Sequence, residues 1–334
     1  MRLSAFSVVD EYPDARSDRL REVVRLGEAA DSAGLSTLWV AEHHFHPGGV
    51  APAPPVLLAA LGARTRRLRL GVLVSVLPFH RPIEVAEQYA MLDHLLEGRL
   101  NFGVGSGYIA REFEGFGVDP TTKRERFDRS LETVLAAFEG KEVRSDEGAA
   151  VPVRINVLPV QKPYPPLWIA VQRREAIPFV ARRGASLALV PYATLGSYEE
   201  LAGEVREYRS HLPPGVHGEV AAAVHLYAGP RPELAHVALQ RYLDSRLATQ
   251  SAFYQEKVRK DPAHANAATI ENSGWALFGT PVDVAKRLRS FAATGVDEVL
   301  GIFDFGGLPF EEVDRSVRAL GAEFAGPDRR AEST

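Results

Sequence analysis

The chain has 334 residues, 46% hydrophobic and 25% charged, with a formal net charge of −4. That balance describes a folded chain able to build one large α/β domain or two small ones, and it leaves no positive excess to attract nucleic acid or an anionic membrane. Cysteine is absent, which excludes disulfides, thiolate metal sites and cysteine nucleophiles and leaves any redox work to a bound cofactor.

Taken in order, the N-terminus has no basic stretch leading into a long apolar core. No apolar segment approaches the ~18 residues of a membrane span, so a cytoplasmic protein is expected. Residues 2–9 alternate and carry β-branched and aromatic side chains, the pattern of a first strand that Tyr12 and Pro13 leave. From Ser17, an expected N-cap, Leu20, Val23, Val24, Leu26 and Ala30 recur at helical spacing as far as Gly34, an expected C-cap. TLWVAEHHF follows at 37–45: Leu38 to Ala41 read as a buried parallel strand, and Glu42, His43 and His44 stand where the apolar run stops. After the Pro- and Gly-bearing loop 46–55 come a short helix through Leu61, a strand at 68–76, a helix at 83–96 stopped by Gly98, and a strand at 100–104 running into GVGSGY.

The alternation continues with a helix at 123–139, strands at 167–171 and 187–190 separated by a helix at 175–183, and a helix at 198–208. A strand at 219–227, helices at 232–248 and 282–294, a strand at 298–302 and a helix at 310–324 complete it. Eight strands, each followed by a helix, with no Gly-, Ser- or Pro-rich linker between halves, predict a single (β/α)8 TIM barrel with insertions over residues 1–325, and a flexible tail at 326–334. Two stretches interrupt the repeat. Residues 141–166 read as an irregular or hairpin insertion. Residues 249–279 read as a long excursion with Trp275 and Phe278 near its end, equally suited to a lid, a dimer contact or a mobile surface loop.

Chemistry-bearing residues gather at three strand ends. Glu42, His43 and His44 form the first, although paired histidines after a strand fit a structural role equally well. Gly103, Gly105, Ser106 and Gly107 form the second, where bare backbone can approach a ligand; a tight βα turn explains them as readily, and the spacing is not a dinucleotide fingerprint. Arg173 and Arg174, in VQRREA before a helix, suit a phosphate or a solvated turn. No metal site is expected, since the adjacent His43 and His44 point different ways with no HExxH or carboxylate cluster. Nor does Ser106 stand in the GxSxG spacing of a serine hydrolase.

WVAEHHF, LPFHRPIEVAEQYAMLDHLLEGRLNFGVGSGY, EFEGFGVDP with the following RERF, and QKPYPPLWIA together resemble the bacterial luciferase-like flavin monooxygenases. The resemblance runs from about residue 3 to 190 and more faintly through FGTPVDVAKRLRSFAATGVDEVL. It implies a (β/α)8 barrel that binds reduced flavin mononucleotide (FMN, as FMNH2), adds O2 at the flavin C4a carbon, and uses the hydroperoxide on a small organic substrate. His43 is similar in position to the family's catalytic histidine, with Glu42 orienting it. Leu73, Val74 and Ser75 match the strand end along the flavin ring, where a non-proline cis peptide is expected at Leu73–Val74.

Gly105, Ser106, Gly107, Gln172, Arg173 and Arg174 are the implied cofactor contacts, and His44, Tyr108 and Trp275 the implied substrate or lid residues. The chain departs from luciferase itself at Ser106, Gly105 and Gln172, which replace a phosphate-binding arginine, a reactive cysteine and an acidic residue. Those changes weaken any expectation of light emission or a long-chain aldehyde substrate, and leave Arg173 or Arg174 to supply the charge. A separate NAD(P)H-flavin reductase is implied because no second nucleotide-binding domain is evident. So is a homodimer through the helices at 54–64 and 83–96. The alternatives are a relative using the deazaflavin F420 for hydride transfer, and a flavin-binding protein without catalysis.

Overall fold

The structure is a computed structural model that describes residues 1–12, 18–144, 151–248 and 252–324. Its strands are β1 (Arg2–Ser7), β2 (Thr37–Val40), β3 (Arg69–Val76), β4 (Leu100–Gly105), β5 (Leu167–Ala170), β6 (Ser186–Leu189), β7 (Val220–Ala228), β8 (Ala276–Gly279) and β9 (Glu298–Ile302). Neighbours pair in parallel from β1 through β7; β7 then pairs β9, and β9 returns to β1, so eight strands close a barrel. The extra strand β8 pairs with the last residues of β7, His225 to Ala228. It lies inside the stretch read from sequence as an excursion, too short and too close to a glycine for its pattern to register.

The ring closes because large and small residues alternate across its interior. Trp39 on β2 and Trp168 on β5 meet edge to face at 5.2 Å, and β7 answers with Ala221 and Ala223, both fully buried and in register with Glu298 and Leu300 of β9. Gly71 on β3 is required beneath the indole: a Cβ there would lie 2.4 Å from Trp39 Cε3. Trp39 Nε1 donates to Glu298 at 2.9 Å, and Glu298 also accepts from Arg2 at 3.0 Å, which satisfies the polar groups at the N-terminal end of the barrel.

Most helices fall where their periodicity places them, with local differences. Helix Arg19–Ala33 is capped by Asp18, whose carboxylate accepts from Arg21 N; the expected cap, Ser17, lies outside the described residues. Gly34 ends that helix in the left-handed region at φ 75. The helix expected at 175–183 is a 3₁₀ turn, Arg174–Ala176, followed by Ile177–Arg182, because Pro178 fits only the first turn of the α-helix. In the 141–166 insertion Val143 and Val153 form one antiparallel bridge. The 249–279 excursion holds helices Ala252–Lys260 and Ala267–Asn272 before β8. The tail at 326–334 lies outside the described residues. No helix among them is long and apolar enough to cross a membrane.

Candidate active site

Parallel strands deliver their C-terminal ends to one rim, and there a cavity of about 370 Å³ opens between β1, β3, β4, β5 and β6. Phe6, Leu73, Val74, Ile169 and Val171 give it apolar walls. Leu73 and Val74 are joined by a non-proline cis peptide, as the resemblance implied, and the β3/β4 register shifts between Val72 and Ser75. Gly105 packs on that bend: a Cβ there would stand 2.6 Å from Val74 Cγ2. Gly107, at φ +76, would press a Cβ to 3.0 Å from both Phe113 and Val76. The glycine turn thus runs backbone along the cavity, with Ser106 and Gly107 in its lining, whereas Ser75 is buried outside it.

The strand end 42–44 splits into two networks. Glu112, from the short helix Ala110–Phe116, places one oxygen, Oε1, 3.0 Å from His43 Nδ1, 3.1 Å from His46 Nε2 and 2.9 Å from the His44 backbone N–H, which donates to it. Burial raises the Glu112 carboxyl, but hydrogen bonds from His43 and His46 outweigh it and hold the pKa at about 2. An ionised carboxylate only accepts, so His43 Nδ1 carries the proton and Nε2 is the lone-pair nitrogen of a ring that lines the cavity. Burial pushes the His43 pKa below its ordinary value, against the opposite pull of Glu112. Gly49 fixes the ring from behind: a Cβ there would lie 2.6 Å from His43 Cβ and 2.7 Å from Cδ2.

Glu42 does not orient His43, contrary to the expectation from sequence. Its Oε1 lies 3.1 Å from His44 Nε2 and 2.7 Å from His80 Nε2, and its Oε2 accepts from Val76 N at 3.3 Å. Glu42 itself touches the cavity, but His44 turns away from it, its ring edge-on to Phe116 at 4.7 Å. The sequence also hid the carboxylate partners. Ligand-capable atoms of Glu42, His44 and His80, and of His43, His46 and Glu112, lie within 4.8 Å of one another in each triple. Each set has donors for a divalent ion, and direct histidine–carboxylate hydrogen bonds account for its geometry without one.

Cations mark the other side of the cavity. Lys123 and Arg124, at the start of helix Lys123–Phe138, join Gln172 and Arg173 in the lining. Lys123 Nζ donates to the Gly107 carbonyl at 3.1 Å, and burial with the nearby Arg173 charge lowers its pKa. Arg174 is not among them: it is exposed, with Nε donating to Glu207 at 2.5 Å. The sequence does not mark Lys123 and Arg124: helix Ala110–Phe116 separates them from the glycine turn, and the folded rim brings Lys123 back to Gly107.

A third wall is aromatic. Tyr108, Tyr192, Tyr242 and Tyr254 line it with Arg246, none but Tyr108 anticipated. The Tyr192 and Tyr242 hydroxyls share a hydrogen bond of 2.9 Å. Among the described residues of the excursion, Tyr254 is the one that reaches the lining. Trp275, expected there, is buried behind the barrel between Tyr198 and Phe291.

Fold and cavity define the class: a closed (β/α)8 barrel with a cavity at the C-terminal rim. Within it the chain belongs to the luciferase-like monooxygenase family, whose profile matches residues 1–298. It is 25% identical to the oxygenase component of a flavin-dependent trigonelline monooxygenase of Acinetobacter baylyi, over 96% of this chain and 93% of that one. Against the Sinorhizobium fredii protein y4wF it is 36% identical over 57% of this chain and 56% of the relative, so the chain spans little more than half of that protein's length in the match. The crystal structure of monooxygenase RslO1 from Streptomyces bottropensis superposes with a TM-score of 0.81 at 26% identity, covering 97% of this chain and 98% of that one.

Proposed function

We propose that the chain is the oxygenase of a two-component flavin monooxygenase. It takes reduced FMN from a separate NAD(P)H-dependent reductase in the cytoplasm and, with O2, oxygenates a small organic substrate. The observation that carries this reading is one cavity joining the His43–Glu112 pair to an apolar trough and a cationic corner. Those residues fit FMN: Gly105 and Gly107 keep clear the space a Cβ would fill, and Lys123, Arg124 and Arg173 suit a dianionic phosphate.

Bound there, reduced FMN would supply two electrons and, at its C4a carbon, the place where O2 is taken up. The chain supplies the rest. Leu73, Val74 and Phe6 exclude water from the trough. Ser106 and the backbone of the glycine turn supplement the cations. His43, held by Glu112 in one tautomer and kept neutral by burial, offers Nε2 to accept a proton and return it. A homodimer through helices Pro54–Arg64 and Pro82–Leu95 is part of the proposal, supported by Val56, Met91 and Leu95, which stand 72, 55 and 59% exposed.

Anaerobic absorbance titrations with reduced FMN and reduced F420, followed by admission of O2, test the reading. Tight binding of reduced FMN and oxygen uptake are expected. Steady hydride transfer with F420 and no oxygen use would replace it with the deazaflavin alternative, and unchanged turnover in His43→Ala would deny His43 its part.

A further inference from the structure

The cavity's two ends are built by different elements. At the cationic end Arg124 and Arg183 stack on the Phe179 ring, each with Cζ 3.7 Å from its centroid. That corner is held by helices Lys123–Phe138 and Ile177–Arg182, which lie after β4 and β5. At the other end Tyr192, in the short helix Pro191–Thr194 after β6, and Tyr242, on helix Pro232–Ala248 after β7, set their ring centroids 5.9 Å apart. Both rings meet His225 of β7, at 5.0 and 4.8 Å, and His225 meets Phe305 at 5.0 Å, all edge to face. His43 belongs to this end. Arg246 Cζ stands 4.8 Å from the Tyr242 ring centroid, Arg246 donates to the Gly48 carbonyl, and the next residue, Gly49, backs the His43 ring.

Tyr192 and Tyr242 both line the cavity and are 6 and 2% exposed. Their hydroxyls lie 2.9 Å apart, and burial raises both above the ordinary tyrosine pKa, so both stay protonated. One hydrogen bond between two hydroxyls uses one of their two protons, and the second O–H has no acceptor among the described residues. A buried O–H without an acceptor is costly, and the cavity is the side from which an acceptor can arrive. Within the pair the donating hydroxyl polarises the other, which strengthens the outgoing bond. Val190 and Ala193, flanking this turn in the lining, add apolar side chains.

We propose that the Tyr192–Tyr242 pair is the polar contact of the substrate site, and that the substrate is a small apolar molecule with a neutral carbonyl whose oxygen takes the pair's spare O–H. A carbonyl accepts without bringing a proton of its own that must be met. This rests on the flavin reading for the reaction, although the binding it describes needs no flavin.

The test is difference infrared spectroscopy and affinity measurement of acetophenone, isotopically labelled at its carbonyl, on the full chain with and without FMN. The comparison probe is α-methylstyrene, the isostere with a methylene in place of the oxygen. The bound carbonyl stretch is expected at lower frequency than in hexane. In Tyr192→Phe/Tyr242→Phe the shift disappears and acetophenone weakens about three- to tenfold against unchanged α-methylstyrene, the scale of one neutral hydrogen bond. Each single variant keeps one O–H and most of the shift, a pattern that a lone donor would not give. An unshifted carbonyl in wild type overturns the proposal whether or not the double variant folds. So does a shift that survives in the double variant, a shift abolished by either single change, or displacement of acetophenone by saturating FMN, which would give the pair to the cofactor. Failure of FMN to bind wild type sinks the flavin reading instead and leaves the carbonyl shift standing on its own.

Discussion

Glu42 and Glu112 each gather two histidines within hydrogen-bonding reach, yet only one of the two triples presents a histidine to the cavity. Glu42 holds His44 and His80 against Phe79 and Phe116, an aromatic cluster behind the rim. Glu112 reaches in from a separate helix and holds His43 with its ring on the cavity wall. Identical donor types, one residue apart on the same strand end, are turned into aromatic packing in one case and onto the cavity wall in the other. Backbone direction makes the difference, because successive side chains leave an extended segment on opposite sides.

The largest expected effect separates the two histidines directly. His43→Gln lowers turnover by roughly 10²–10⁴-fold, the scale of a lost proton-transfer group, whereas His44→Gln changes turnover by less than about tenfold and instead lowers the melting temperature. Steady-state oxygen uptake and thermal unfolding of both variants measure this, and equal losses of turnover would erase the distinction.

Removing the carboxylates comes next. Glu112→Gln frees the His43 tautomer and is expected to cost roughly 10–100-fold in turnover, the range for a group that orients a working imidazole. Glu42→Gln is expected to act on stability, by about 1–3 kcal/mol for weakened buried hydrogen bonds, with turnover nearly intact. Gly49→Ala should follow Glu112→Gln in kind, because its Cβ would stand within 2.7 Å of the His43 ring carbon Cδ2. Overpacking there costs about 1–3 kcal/mol and tilts the ring off its partner.

The smallest effect is the finest discriminator. Burial lowers the His43 pKa below 6.5, whereas at His80 the hydrogen bond and charge of Glu42 overcome burial and raise it above 6.5. The signs therefore differ. His80 contributes stability that is present below about pH 6.5 and lost as pH rises through its folded value. His43 contributes stability present above about pH 6.5 and lost as pH falls toward its lower folded value, because the unfolded chain then takes up a proton that the folded one refuses. Ring-proton NMR across this range should show His80 titrating late and His43 early in a rising pH series run from high to low protonation of the unfolded reference; both titrating together would contradict the separation.

The barrel was legible because parallel strands buried on both faces write themselves as short apolar runs, and β2 and β4 are such runs. The positions of His43, of the glycine turn and of Arg173 followed, since strand ends are fixed once strands are. Glu112, His46 and His80 were not legible as partners: they come from different loops, and only the closed rim brings them to Glu42 and His43. Arg246 was hidden for the same reason, reading as one more basic residue on a helix that is mostly solvated on one side. Trp275 misled in the opposite sense. Its place near the end of the long excursion suggested a lid, but β8 follows it at once and draws the indole into the packing between helices.

A crystal structure with FMN bound would decide whether the cavity between His43 and the Lys123 corner holds the flavin. The isoalloxazine is expected against Leu73, Val74 and Gly105 with His43 on its edge, and the phosphate on Lys123, Arg124 and Arg173. A flavin touching His44 with His43 remote, or a phosphate seated on Arg246, would contradict it.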